Sequence, residues 1–190
     1  MRTGSLCLLA LAFAGCGVQS IPQAGTAVDG AWAEVQNQYQ RRADLVPNLV
    51  ATVKGYAAQE SSVLEAVTEA RAKATSINIS PDKLDEQSLK TYEAAQGQLS
   101  GALGRLLAVS ERYPDLKSNQ NFRDLQTSLE GTENRIGIAR RRYIETVQEF
   151  NNLVTVPPTS WTNSIFYHRQ AKPQFTATAE GADRPPTVKF

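Results

Sequence analysis

Residues 41–60 read RRADLVPNLVATVKGYAAQE, and whether they form one helix or the joint between two decides the fold. The apolar spacing is helical, yet Pro47 sits within it and Arg41, Arg42 and Asp44 crowd just ahead. Proline inside a helix removes a backbone hydrogen bond and clashes with the carbonyl four residues back. In a first turn most of that cost vanishes, because those N–H groups have no intrahelical partner. Asp44 is a good N-cap type, and its charge suits the positive end of a helix. Arg41 and Arg42 suit the negative end of a preceding one. The stretch therefore predicts a first helix closing at Arg42, a turn opened by Asp44 and a second helix starting at Pro47. One continuous helix with a gentle kink is the competing geometry.

Working outward, Val28, Trp32, Val35 and Tyr39 mark one face of the first helix. The second, from about Pro47 to Ala74, carries Leu49, Val53, Tyr56, Val63, Val67, Ala70 and Ala74, with Glu60 as a polar residue on its inward face. Ser76 to Pro81 is a turn. A third helix runs from about Lys83 to Tyr113 with Tyr92, Ala95, Leu99, Ala102, Leu106 and Val109 inward, and Pro114-Asp115 breaks it. The fourth, from about Asn119 to Val154, would be about 50 Å long at 1.5 Å per residue. No sustained period-2 run signals a strand. The pattern predicts an all-α fold, an antiparallel four-helix bundle over residues 27–156. The tail, 157–190, is rich in Pro, Thr and Ala but keeps Trp161, Ile165, Phe166, Tyr167, Phe175 and Phe190. That is too aromatic for simple disorder, so it is read as extended and partly docked.

The chain has 190 residues, room for one domain with a real core. Lys and Arg number 20 against 19 Asp and Glu, so no single-sign field points to nucleic acid. Residues 1–18 read MRTGSLCLLALAFAGCGV. Arg2 precedes an unbroken apolar run, Leu6 to Phe13, which is shorter than the about 20 residues of a membrane span and fits a secretory leader over 1–15. Phe13-Ala14-Gly15-Cys16 resembles a bacterial lipobox, with lipidation at Cys16 and a tether over 16–26. An ordinary leader with a chance cysteine is the alternative. Cys16 would be the only cysteine left, so no disulfide can close within one molecule. Gly17, where many retained lipoproteins carry Asp, leaves outer-membrane sorting open.

Catalytic signatures are missing. His168 is the only histidine, and no nucleophile elbow, P-loop, dinucleotide fingerprint or zinc spacing occurs. The sequence predicts no cofactor and no metal. Glu60 with Glu133 is a conceivable acid–base pair. The candidate interaction or polar-core residues are Arg42, Asp44, Asn48, Glu60, Arg71, Glu133, Asn134, Arg135 and Arg140. Glu133-Asn134-Arg135 interrupts the fourth stripe near its middle. Such groups either fix helix register or line a polar groove. Glu60 is expected to pair with an arginine of the fourth helix. Arg140-Arg141-Arg142 points in several directions and reads as a solvated face. Gly97, Gly101 and Gly104 in the third helix suggest close helix approach.

The opening stretch, with VTEAR at 67–71, resembles the LemA family signature. YPDLKSNQNFRDLQTSLEGTENRIGIARRRYIETVQEFN at 113–151 is similar to its second half, and PPTVKF at 185–190 to the usual ending. The resemblance implies a membrane-anchored helical bundle outside the cytoplasm and no established reaction; one branch is associated with magnetosome membranes. Three departures stand out. Family members usually anchor through an uncleaved N-terminal helix, where this chain is read as using a lipid on Cys16. Gln59 occupies the place of a frequent family histidine, and Ile144 follows Tyr143 where the family has Asn. The reading is therefore a non-catalytic, lipid-anchored envelope scaffold holding an unidentified protein partner. A peptide- or lipid-binding module, or an accessory subunit of an envelope protease or transporter, is the alternative.

Overall fold

The computed structural model describes the backbone from Thr3 to Phe175 and side chains from Gln19 to Phe175. Its α-helices are α1 (Thr3–Lys54), α2 (Ser61–Ser76), α3 (Glu86–Val109), α4 (Pro114–Ser118), α5 (Gln120–Thr155) and α6 (Thr159–Thr162), with no strand among the described residues. The four longer helices, α1, α2, α3 and α5, build the bundle. α1 packs along α5, α2 along α3, and α1 also against α2. A Cβ on Gly25 would lie 3.6 Å from Phe150, and Arg42 meets Glu133 at 2.8 Å, so α1 and α5 run antiparallel. The fold class read from the stripes is the fold observed.

The first joint is elsewhere than the sequence suggested. α1 runs straight through Arg42, Asp44 and Pro47. Arg42 does not close a helix, Asp44 caps nothing and Pro47 starts nothing. The stripe explains the continuity: after Val28, Trp32, Val35 and Tyr39 the same alternation of four and three residues passes through Arg42, Val46, Leu49 and Val53, all buried. Pro47 lies beside this stripe on the exposed side. Its missing N–H leaves the Ala43 carbonyl without an intrahelical donor. Arg71 on α2 supplies one, its Nε donating to Ala43 O at 2.8 Å. The chain turns instead at Gly55–Glu60, where Ala57 N bonds Val53 O at 2.8 Å and Ala57 is fully buried. Tyr56, expected inside, is 44% exposed, and its hydroxyl accepts from Asn119 Nδ2 at 2.9 Å.

Other helix ends follow their caps. Asp85 accepts from Ser88 N at 2.7 Å and Ser88 Oγ accepts from Asp85 N at 3.0 Å, a reciprocal box that starts α3. Asn119 Oδ1 accepts from Phe122 N at 3.0 Å and starts α5. Gly97, Gly101 and Gly104 are exposed, and a Cβ at each would meet nothing within 4 Å. They serve no close helix approach.

Two apolar clusters fill the bundle. One holds Ile21, Val28, Trp32, Tyr39, Tyr92, Tyr143, Phe150 and Phe175. The other holds Val46, Leu49, Val67, Leu99, Leu106, Leu116, Phe122 and Leu129. Residues 17–26, read as a tether, are helical, and Ile21 and Ala24 belong to the first cluster. The tail is only partly extended: α6 and a π turn at Asn163–Tyr167 precede the segment that docks. There Tyr143 donates to Pro173 O at 2.9 Å, Asn151 exchanges two bonds with Lys172, and Phe175 packs 5.3 Å from the Tyr143 ring. The PPTVKF ending and Phe190 lie outside the described residues.

Candidate functional site

Between the two clusters the core turns polar. The stripe of α1 places Arg42 at a core position, 1% exposed. α3 brings Gln96 and Ser100 to the same level, and α5 brings Thr132 and Glu133. Arg42 Nη1 donates to Ser100 Oγ at 2.6 Å and to Glu133 Oε1 at 2.8 Å. Its Nη2 donates to Gln96 O at 3.1 Å and to Gln96 Oε1 at 2.7 Å. The guanidinium also lies 5.0 Å from the centre of the Tyr39 ring. Both terminal nitrogens are thus saturated, which a buried cation needs; the buried Nε has no partner.

α3 and α5 do not pack closely, and a cleft of about 470 Å³ opens between them above Arg42. Lys90, Glu93, Gly97, Ser100, Glu133 and Arg140 line it. Arg140 Nη2 donates to Glu93 Oε1 at 2.9 Å, a second bridge from α5 to α3. Burial raises the Glu93 carboxyl above its usual range, partly countered by Arg140. Burial likewise pushes the Tyr39 and Tyr92 phenols up. The cleft therefore offers three cations, Arg42, Lys90 and Arg140, against Glu93 and Glu133; Arg42 and Arg140 are engaged by carboxylates across it, and Lys90 by Glu86 on its own helix.

The predicted site residues do not form one group. Arg42, Glu133 and Arg140 meet at the cleft. Asn134 is exposed on α5. Arg135 faces a different groove, beside Glu34, Gln38 and Ile138, and donates to Thr132 Oγ1 at 3.0 Å. Asp44 is exposed and accepts from Gln40 Nε2 at 2.7 Å. Asn48 lies in a shallow depression with Asn121 and Asp124. Arg71 serves the Ala43 carbonyl. Glu60 has no arginine of α5 as partner: it accepts from Arg112 at 2.9 Å and from the Tyr113 hydroxyl at 2.9 Å, in the corner after α3. Glu60 and Glu133 therefore sit in separate networks rather than as an acid–base pair. Glu133 of α5 instead pairs with an arginine of α1, the reverse of the expected polarity.

Sequence reasoning missed Gln96, Ser100, Lys90 and Glu93. Gln96 had a signal, since it follows Ala95 of the α3 stripe at a position level with a polar break in α5. Among the described residues, no group of three or more His, Cys, Asp or Glu side chains could hold a metal. No helix there is long and apolar enough to cross a membrane. Lipidation of Cys16 falls in the stretch whose side chains are outside the description.

Residues 31–190 match the LemA family. The chain is 29% identical over 150 residues to "Magnetosome protein MamQ 2" of Paramagnetospirillum magneticum, covering 70% of this chain and 55% of that protein. It is 29% identical over 136 residues to "Magnetosome protein MamQ" of Magnetospirillum gryphiswaldense, covering 63% and 50%. It is 26% identical over 138 residues to "Protein LemA" of Metamycoplasma hominis, covering 73% and 58%. The chain spans about half the length of these relatives. The family match takes in both signature blocks and nearly all the described bundle, and this chain belongs to the LemA family.

Proposed function

We propose that the protein is a non-catalytic component of the bacterial cell envelope, held at a membrane through Cys16, whose α3/α5 cleft receives a segment of a protein partner. The similarity to magnetosome proteins supports the membrane setting. The cleft carries the rest of the reading. Its floor is fixed by Arg42, which ties α1 to both flanking helices, so the opening is shaped before anything binds. Its wall at Gly97 is open, with nothing within 4 Å of where a Cβ would stand, giving a partner backbone room to approach. Its charged groups are matched with one another, an arrangement that suits recognition better than proton transfer.

A small-ligand reading has one observation behind it: about 470 Å³ falls in the range of small-molecule sites. The two readings separate cleanly. A photoreactive residue at Gly97, where the space is open, yields a discrete protein adduct in cells if a partner occupies the cleft. The Cys16→Ala chain yields less of it. A ligand module gives no such adduct and instead shows saturable thermal stabilisation by the ligand.

A further inference from the structure

At the end of the bundle where α1 enters, Val156 (53% exposed), Trp161 (64%), Ile165 (66%) and Phe166 (66%) stand in solvent. The remaining exposed large apolar residues among those described, Tyr56 and Ile138, are scattered singly, which is ordinary on a protein surface. This group is not. The local pattern is inverted, because Asn163 in its midst is buried. Asn163 Nδ2 donates to Val154 O at 3.3 Å and Arg169 O at 2.9 Å, and Oδ1 accepts from Arg169 N at 2.9 Å. Its carbonyl accepts from His168 N at 2.7 Å, and His168 reverses the chain with φ 52. Turning the apolar side chains inward would break these bonds, so the fold itself holds them out.

We propose that this patch is a membrane-contact surface, with Trp161, Ile165 and Phe166 seated in the interfacial layer of a lipid bilayer. The inference deepens the membrane reading above and rests on it. α6 packs against α1 and α5. Gly25 lies level with Phe150 and Arg42 with Glu133. Continuing that register brings residue 16 level with the start of α6. Along the bundle the patch thus lies at the same end as Cys16, the residue through which the chain is proposed to be held at the membrane. Tryptophan beside aliphatic side chains favours the headgroup boundary. Exposed Arg169 stands next to the patch and complements anionic headgroups.

The chain holds two tryptophans, which makes the test direct. Trp32 is fully buried and donates to Ile79 O at 2.8 Å, so it reports the fold; Trp161 reports the patch. The full chain is reconstituted in phosphatidylcholine–phosphatidylglycerol vesicles, with and without acyl-brominated lipid. Brominated lipid is expected to quench the Trp161 emission, and acrylamide to lose access to it. Vesicle sedimentation of the Cys16→Ala chain is expected to weaken about ten-fold when Ile165→Ser and Phe166→Ser are added, with Trp32 emission unchanged. Trp161 equally open to acrylamide with and without vesicles overturns the proposal. So does a photoreactive residue at position 161 that attaches to protein and never to lipid. Wild-type chain found in membranes with Trp161 wet sinks the patch alone, whereas wild-type chain in the soluble fraction sinks the anchoring it rests on.

Discussion

Removing the Arg71 guanidinium should cost stability only while residue 47 is proline. In the native chain the Ala43 carbonyl has lost its helical donor to Pro47 and depends on Arg71 Nε at 2.8 Å. Arg71→Met keeps much of the aliphatic stem and leaves that carbonyl short of a donor, at about 1–2 kcal/mol. For a domain this size that lowers Tm by about 3–6 °C. Pro47→Ala restores an N–H to the helix and should itself stabilise by about 1–2 kcal/mol, the helical gain being reduced by a freer unfolded chain. In that background Arg71→Met should cost less than about 0.5 kcal/mol, leaving a coupling of about 1 kcal/mol. The assay is urea unfolding of the four chains with m held in common. Equal cost of Arg71→Met in both backgrounds would refute the argument that Arg71 is what lets α1 pass through a proline.

Arg42→Ala should destabilise by about 3–5 kcal/mol, whereas Glu133→Gln should cost under about 1 kcal/mol because Glu133 is 48% exposed; thermal melts compare them. Gly101→Ala with Gly104→Ala should stabilise by up to about 1 kcal/mol each, since both face open space inside a helix; destabilisation would mean a hidden close contact. Glu93, with its carboxyl raised by burial, favours the folded state most below the ordinary carboxylate pKa and loses that contribution as pH climbs through the raised value. Glu93→Gln should therefore gain stability relative to wild type as pH rises from about 4 to about 7, in paired melts across that range.

The helices were legible because their stripes are long and regular, and α5 came within a residue or so at each end. The first joint was not, because a proline and a cluster of charges are good punctuation taken locally. What overrode them is non-local: Arg71 lies 28 residues away from Ala43. The heptad through Arg42 was visible, but a charged residue at a core position reads as the end of a stripe unless its partners are known. Those partners, Gln96 and Ser100 on α3, have ordinary surface identities. Glu60 misled for the same reason. It was placed within a helix, whereas it stands half-buried in the turn ahead of α2, and the arginine that meets it comes from the corner after α3, which no spacing along α2 foretells. The outward patch was legible only as aromatics in a tail; that Asn163 would be the residue buried among them required the hydrogen bonds.

α1 is a ruler. From Cys16 to Lys54 it advances 38 residues without a break, about 57 Å at 1.5 Å each. The network of Glu60, Arg112 and Tyr113 sits just past its far end. If the near end lies at the lipid, whatever engages that corner is held some 60 Å or so above the bilayer, and inserting or deleting whole turns in α1 and α5 together would reset the height without touching either end.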